Sequence, residues 1–485
     1  MRSNHIILAA AALLLTSAAW AELPIKVLTR TKGNTTRETV NVVCQTTPGA
    51  TATINGEEAH VYKTGAFGLP VKMEPGTNKV IVKVTMGDES AEKTLTFNYA
   101  PEEKKASTQK EEPAVKITPA SFNIRTKEGA YLTYSNGGDR LGGSKMEFVD
   151  EGIVAKVLGT CGDLYKIRLS DNRFAFIGKE YAEKTDEAVP GAMNSLNLSV
   201  TNIGKYDQVS LPLPARTMYN SWMDLDPTIL YVDVYGVMNN SNWLTHPRNL
   251  EMIDYVEVRQ VDSDILRLVI KLQKSHAWGY KIGFEGNSLR IKVKHAPEAV
   301  LSKLHIGLDA GHGGSSLGAV SVTGAYEKNI NLSIVYKVKS ILEKKGAKVT
   351  LTRETDRDVS MAERRQTMLD ADVDLLVSIH NNASGNSLKP MGTSTYYKYV
   401  QNRQLAACVI DRLLELEGVR SMGLVGNFNF ALGTPIEYPT FLVEGLFVDS
   451  LPDEEMLLDE EFQTRMAEKI VLGLEDYLQE ARLRP

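Results

Sequence analysis

The periodicity of the chain changes at about residue 300, and no other feature limits its possible folds as much. Before that point apolar and polar residues alternate in short runs, such as Lys79-Val80-Ile81-Val82-Lys83-Val84 and Ile229-Leu230-Tyr231-Val232-Asp233-Val234, the period of half-buried strands. After it, apolar strands alternate with helical patterns. Strands are expected at Leu304–Leu308, Lys348–Leu351, Asp374–Ile379 and Thr440–Val443, and helices at about Asn329–Lys345, near Met361, at about Arg403–Glu417 and at the C-terminus. In the first helix Ile330, Ile334, Val335, Val338, Ile341 and Leu342 share a face; in the last, Phe462, Met466, Ile470, Val471, Leu474 and Leu478 do. The pattern predicts a multidomain chain: a C-terminal α/β domain with a largely parallel sheet, residues 298–485, preceded by three small all-β modules.

A length of 485 residues also calls for several domains, and a hydrophobic content of 43% is enough to bury real cores. The formal net charge is only -5, with no basic run able to track a phosphate backbone, which argues against nucleic acid as a partner. Residues 1–21 read as a signal peptide: Arg2, the apolar run Ile6 to Leu15, then Ala19-Trp20-Ala21 as a small-x-small cleavage site. The run is shorter than the ~20 residues that cross a bilayer, so no membrane span is expected after cleavage, and the address is the periplasm or cell envelope. Cys44, Cys161 and Cys408 lie far apart and are expected as buried thiols rather than a disulfide framework.

Residues 22–100 are expected to form an immunoglobulin-like β-sandwich, and 101–116, charged and nearly free of large apolar side chains, a linker. Residues 117–183 carry Phe122-Asn123-Ile124-Arg125, Asp163-Leu164-Tyr165-Lys166-Ile167 and Phe174-Ala175-Phe176-Ile177-Gly178; the stretch resembles a bacterial SH3-type barrel. In 184–297, Asp226-Pro227 followed by the strand Ile229 to Gly236 is similar to the signature of the AMIN domain, a family β-sandwich that recruits amidases and secretion proteins to the cell wall. That resemblance implies cell-division or envelope proteins as partners of the N-terminal half.

In open α/β sheets, ligands gather beyond the carboxyl ends of the strands. Four polar residues of the C-terminal domain fall at such ends or in adjacent loops. His312 lies within Asp309-Ala310-Gly311-His312-Gly313-Gly314; His380 follows Leu375-Leu376-Val377-Ser378-Ile379; Glu444 ends Phe441-Leu442-Val443; Glu327 precedes the first long helix. A single histidine at a strand end, or a glutamate before a helix, is usually structural. Two of each in one domain, one carboxylate closing an otherwise apolar strand, point instead to a shared site. Two histidines and a carboxylate with an open position make a common catalytic zinc shell, and a spare carboxylate supplies a base. No H-E-x-x-H run is present, so the ligands must converge from distant parts of the chain.

Residues 304–481 resemble the zinc-dependent N-acetylmuramoyl-L-alanine amidases of the Amidase_3 family. The family's motifs are matched in order by Asp309 to Gly314, Glu327-Lys328, Thr352-Arg353, Ser378-Ile379-His380-Asn381-Asn382-Ala383 and Pro439 to Phe447. The resemblance implies that His312, Glu327 and His380 bind zinc, that Glu444 is the catalytic carboxylate, and that peptidoglycan is the substrate, cut between N-acetylmuramic acid and L-alanine. Arg353 and Asn382 are candidates for substrate contact or loop bracing. The sequence departs from the family at Leu308, at Ala310, at Asn381 and at Phe447-Val448-Asp449-Ser450. Two rival readings stand beside this one: a wall-binding scaffold without activity, and a zinc peptidase cutting within the stem peptide.

Overall fold

A computed structural model describes residues 23–102, 116–137, 141–226 and 228–483. The signal peptide expected at 1–21, nearly all of the expected linker and Pro227 lie outside the described residues. The chain divides into two compact units, 1–103 and 104–485.

The first unit has a three-stranded and a five-stranded sheet, joined by a core that includes Val42, Cys44, Ile54, Phe67, Val82 and Phe97. Their spacing in Val40–Cys44 and Val80–Val84 is the period-2 pattern of strands with one buried face.

The second unit holds everything else. Residues 118–185 form a seven-stranded antiparallel sheet, and 199–294 form two four-stranded antiparallel sheets. The buried residues of these two stretches merge into one core, running from Ile124 and Leu132 to Leu289 and Ile291, with Ile436 of the C-terminal domain packed against it. The sequence treats these modules and the α/β domain as separate; the structure packs them together.

The C-terminal domain runs β1 His305–Ala310, α1 Glu327–Lys344, β2 Lys348–Leu351, α2 Met361–Ala371, β3 Leu375–Asn382, β4 Thr393–Tyr396, α3 Arg403–Leu413, β5 Ser421–Val425, β6 Thr440–Phe447, α4 Leu451–Leu457 and α5 Glu460–Leu483. The sheet order is β2-β1-β3-β6-β4-β5. The first four strands in that order are parallel, but β4 pairs antiparallel with β6 and β5 runs with β4. The expected largely parallel sheet is therefore mixed. The connection from β3 to β4, residues 383–392, contains no helix, so the chain turns back without the crossover that a parallel pair needs.

Alternation along the central strands sorts their side chains. Ile306, Leu308, Ala310, Leu375, Val377, Ile379, Phe441 and Val443 enter the core shared with α1, α3 and α5. The intervening Asp309, Ser378, His380, Leu442 and Glu444 fall on the other face, where α2 lies; Met368 of α2 clusters with Leu376, Leu432 and Tyr438. Gly307 lets α2 approach, since a Cβ there would stand 2.4 Å from the Met368 sulfur. The core also takes in Trp278, from the preceding β domain. All three cysteines are buried and unpaired with one another.

Candidate metal centre

His380 and Glu444 are register partners on the adjacent parallel strands β3 and β6, in the carboxyl-terminal halves of both. His312 follows β1 with a φ of 61°, in the left-handed region. Glu327 is the first residue of α1 and is buried. The structure brings His312, Glu327 and His380 together: one ligand atom from each lies within 4.8 Å of the others. Glu327 faces both histidines, Oε2 at 3.2 Å from His312 Nε2 and Oε1 at 3.2 Å from His380 Nδ1. The two imidazole centroids are 5.0 Å apart.

The surroundings fix this arrangement. Glu327 Oε1 accepts from the Asn331 side chain at 3.1 Å and the Asn381 N–H at 3.1 Å, and Oε2 from the Ala319 N–H at 2.8 Å. The two closest backbones have no room for a side chain. A Cβ on Gly311 would lie 2.3 Å from the His380 ring, and one on Gly318 would lie 2.4 Å from Glu327 Oε2.

Beneath the His312 loop sit two fully buried arginines. Arg353 donates to the carbonyls of Ala310 (2.9 Å), Gly311 (3.1 Å) and Lys328 (2.7 Å). Arg364 donates to Asp309 Oδ1 (2.6 Å), the Ala310 carbonyl (2.8 Å) and the His312 carbonyl (2.6 Å). Asp309 also accepts from Thr352 and Ser378, each at 2.6 Å. Burial favours neutral Asp309, but the Arg364, His380, Ser378 and Thr352 contacts outweigh it and hold the carboxyl below its ordinary value.

Of the two candidates for substrate contact or bracing, Arg353 lies in the braces, 1% exposed. Asn382 accepts from the Ala383 N–H at 2.8 Å, and its carbonyl accepts from Val448 at 2.9 Å. Asp449, in the segment that departs from the family, accepts the N–H groups of Ser384 (2.9 Å) and Gly385 (2.7 Å), so the departure closes a loop.

Burial penalises charge on Glu327, yet its hydrogen bonds to His312 and His380 and their charges keep it well below the normal carboxylate range. Burial also disfavours charged His380, but the Glu327 hydrogen bond and the charges of Glu444, Glu327 and Asp309 raise it above an ordinary imidazole. The site thus has an excess of negative charge around two imidazoles, which a divalent cation would offset. Two imidazoles and a carboxylate, converging within 4.8 Å, make a mixed N/O donor set that fits zinc.

Arg364, Asn331 and Phe430 were not anticipated. Asn331 follows Glu327 at i+4, a helical spacing that places both on one face. Nothing local distinguishes Arg364 from its neighbour Arg365. Phe430 stands edge-on to His380, centroids 5.8 Å apart, from a loop with no periodicity.

Residues 306–476 match the family model of N-acetylmuramoyl-L-alanine amidase, Amidase_3. The chain is 34% identical over 174 residues to the uncharacterised protein YqiI of Bacillus subtilis, covering 35% of this chain and 82% of YqiI. It is 31% identical over 205 residues to the probable cell wall amidase LytH of Staphylococcus saprophyticus, covering 42% of this chain and 68% of LytH. It is 32% identical over 174 residues to the N-acetylmuramoyl-L-alanine amidase LytC of Bacillus subtilis, covering 35% of this chain but only 34% of LytC. All three matches cover less than half of this chain. The chain belongs to the Amidase_3 family of N-acetylmuramoyl-L-alanine amidases and has a peptidoglycan amidase function.

Proposed function

We propose that this amidase is zinc-dependent, that His312, Glu327 and His380 hold the metal, and that Glu444 is its general acid–base. The carrying observation is the convergence of those three side chains within 4.8 Å, with Glu444 in register beside His380. Bound zinc supplies Lewis acidity, lowering the pKa of water and polarising a carbonyl. Glu444, the one half-buried residue of an otherwise buried strand, takes the proton of the attacking water and returns it to the departing L-alanine nitrogen, which is too basic to leave unprotonated. Arg364 and Arg353 keep the His312 loop in its left-handed turn. Asn331 and the Asn381 N–H orient the Glu327 carboxylate, the usual work of groups that hold a metal's ligands.

The place of action we propose is the cell envelope, after export through the signal peptide at 1–21. Among the described residues no helix is long and apolar enough to cross a membrane. Residues 117–183 and 184–297 serve, in this reading, as SH3-like and AMIN-like modules that hold the enzyme to peptidoglycan or envelope proteins. Its support is their strand motifs and all-β architecture.

Metal analysis combined with turnover tests the site. His312→Ala and His380→Ala should lose zinc and activity together, whereas Glu444→Gln should keep zinc and lose about 10²–10⁴-fold in rate. Full zinc occupancy in both histidine variants, or near-normal turnover in Glu444→Gln, contradicts the assignment.

A further inference from the structure

The metal centre has an aromatic wall. Phe430 faces His380, Phe428 stacks on Phe430 with centroids 6.3 Å apart, and Tyr396 packs on Phe428 at 4.7 Å. Phe428 and Phe430 are partly exposed, so a substrate at the metal centre can reach them. Ser394, which donates to the Tyr396 hydroxyl at 3.3 Å, is the register partner of Glu444. The wall therefore borders both the metal triad and the proposed acid–base.

Its loop has little regular structure of its own. Asn427 holds a φ of 54°, the Phe428 N–H donates to the Tyr397 carbonyl at 3.0 Å, and the Phe430 N–H donates to the Phe428 carbonyl at 2.9 Å. The residue between the two phenylalanines is held from outside the domain. The Asn429 amide donates to the carbonyls of Leu141 (2.9 Å) and Gly143 (3.0 Å), and its Oδ1 accepts from the Lys145 N–H at 3.2 Å. All three partners belong to the 118–185 module. A second bridge lies beside the first: buried Lys398 donates to Ser144 at 2.8 Å and to Asn427 Oδ1 at 3.2 Å.

From this geometry we infer that Asn429 is a positioning residue, through which the 118–185 module sets the aromatic wall of the active site. The module is thus part of the catalytic site and not only a tether to the cell wall. Asn429 touches no metal ligand itself. Its three hydrogen bonds fix the backbone between Phe428 and Phe430, and with it the angle at which both rings meet the substrate beside the scissile amide. An asparagine side chain has this donor and acceptor capacity; a carboxylate in its place would set negative charge against two carbonyl oxygens.

The inference rests on the amidase reading, and the experiment separates the two. Steady-state kinetics are measured on the full chain, zinc-loaded, with a soluble muropeptide too small to depend on wall anchoring. Asn429→Ala is expected to raise KM about tenfold, the scale of one or two net hydrogen bonds felt at the substrate, with kcat within about twofold and zinc content unchanged. Ser144→Ala, on the module side, is expected to raise KM by a smaller factor, and Asn429→Asp not to restore it. Unchanged KM in Asn429→Ala and Ser144→Ala overturns the proposal, as does loss of kcat together with zinc. Should Asn429→Ala fail to fold, the Ser144→Ala result alone decides. Wild-type protein that does not cut the muramoyl–alanine bond overturns the amidase reading instead.

Discussion

Among single residues, Glu147 makes the clearest prediction outside the metal centre. It lies on the 118–185 module, buried, accepting the Ser221 N–H at 2.9 Å and the Ser221 hydroxyl, which in turn meets the Tyr280 hydroxyl at 2.8 Å. Burial pushes its carboxyl up to about 8; the Ser221 and Phe148 hydrogen bonds oppose this and the Glu437 charge adds to it. With a folded value above the unfolded one, the folded state binds the extra proton. Stability is then full below about pH 4.5 and falls as pH rises to about 8. Replacing Glu147 by Gln should remove that part of the slope, so thermal unfolding of wild type and variant between pH 5 and 8 should diverge as pH rises. Parallel curves would count against a protonated Glu147. His312, His380 and Glu444 were legible because each sits in a short motif on or just after a strand of the sheet, and Glu327 because it opens the first long helix. Glu147 was not, since Lys145-Met146-Glu147-Phe148 reads as an ordinary alternating strand and its burial comes from distant partners.

For the elements, period and composition predicted four of the six strands and four of the five helices of the catalytic domain, because the core-facing sides of β1, β3, β6, α1 and α5 carry apolar patterns. Strand β4 and the short helix α4 were not expected, and two further features escaped. Edge strand β5, Ser421–Val425, has only exposed and half-buried residues, hence no apolar signature, and the reversed direction of β4 and β5 depends on where the chain re-enters the sheet. Packing also crosses the expected boundary at 297. Trp278 is 2% exposed inside the catalytic core, its ring 6.1 Å from that of Tyr477 on α5, while the Tyr280 N–H donates to the Ile436 carbonyl at 2.9 Å. A tryptophan in a β-rich stretch gives no hint that it packs into another domain. Trp278→Ala should cost about 3–5 kcal/mol, the usual range for emptying a buried aromatic site. Denaturant unfolding measures it, and a change below about 1 kcal/mol would mean that the ring is not part of this core.

At the scale of the molecule, a β-α pattern with its own apolar helix faces would by itself let residues 298–485 fold alone and cleave soluble muropeptides. The structure changes that expectation, because this fragment lacks Trp278, the Lys294 ion pair to Asp374 at 2.7 Å and the module that holds Asn429. Residues 104–485 should keep the stability and soluble-substrate kinetics of the full chain, since 1–103 is a separate unit with its own core. Residues 298–485 should melt lower and show a raised KM. Equal stability and kinetics in the two fragments would make the interdomain contacts irrelevant. The connection from β4 to α3 holds only the 3-10 turn Val400–Asn402, and the His312 side chain is 29% exposed. Hydrolysis by the purified protein should therefore need no activating partner. Mass spectrometry of the products from purified sacculi and full-length, zinc-loaded protein, with nothing else added, tests the account most directly. It should find free stem peptides beginning with L-alanine and glycan strands whose muramic acids carry a free lactyl carboxylate; peptides cut internally with L-alanine still attached to muramic acid, or no release at all, would contradict it.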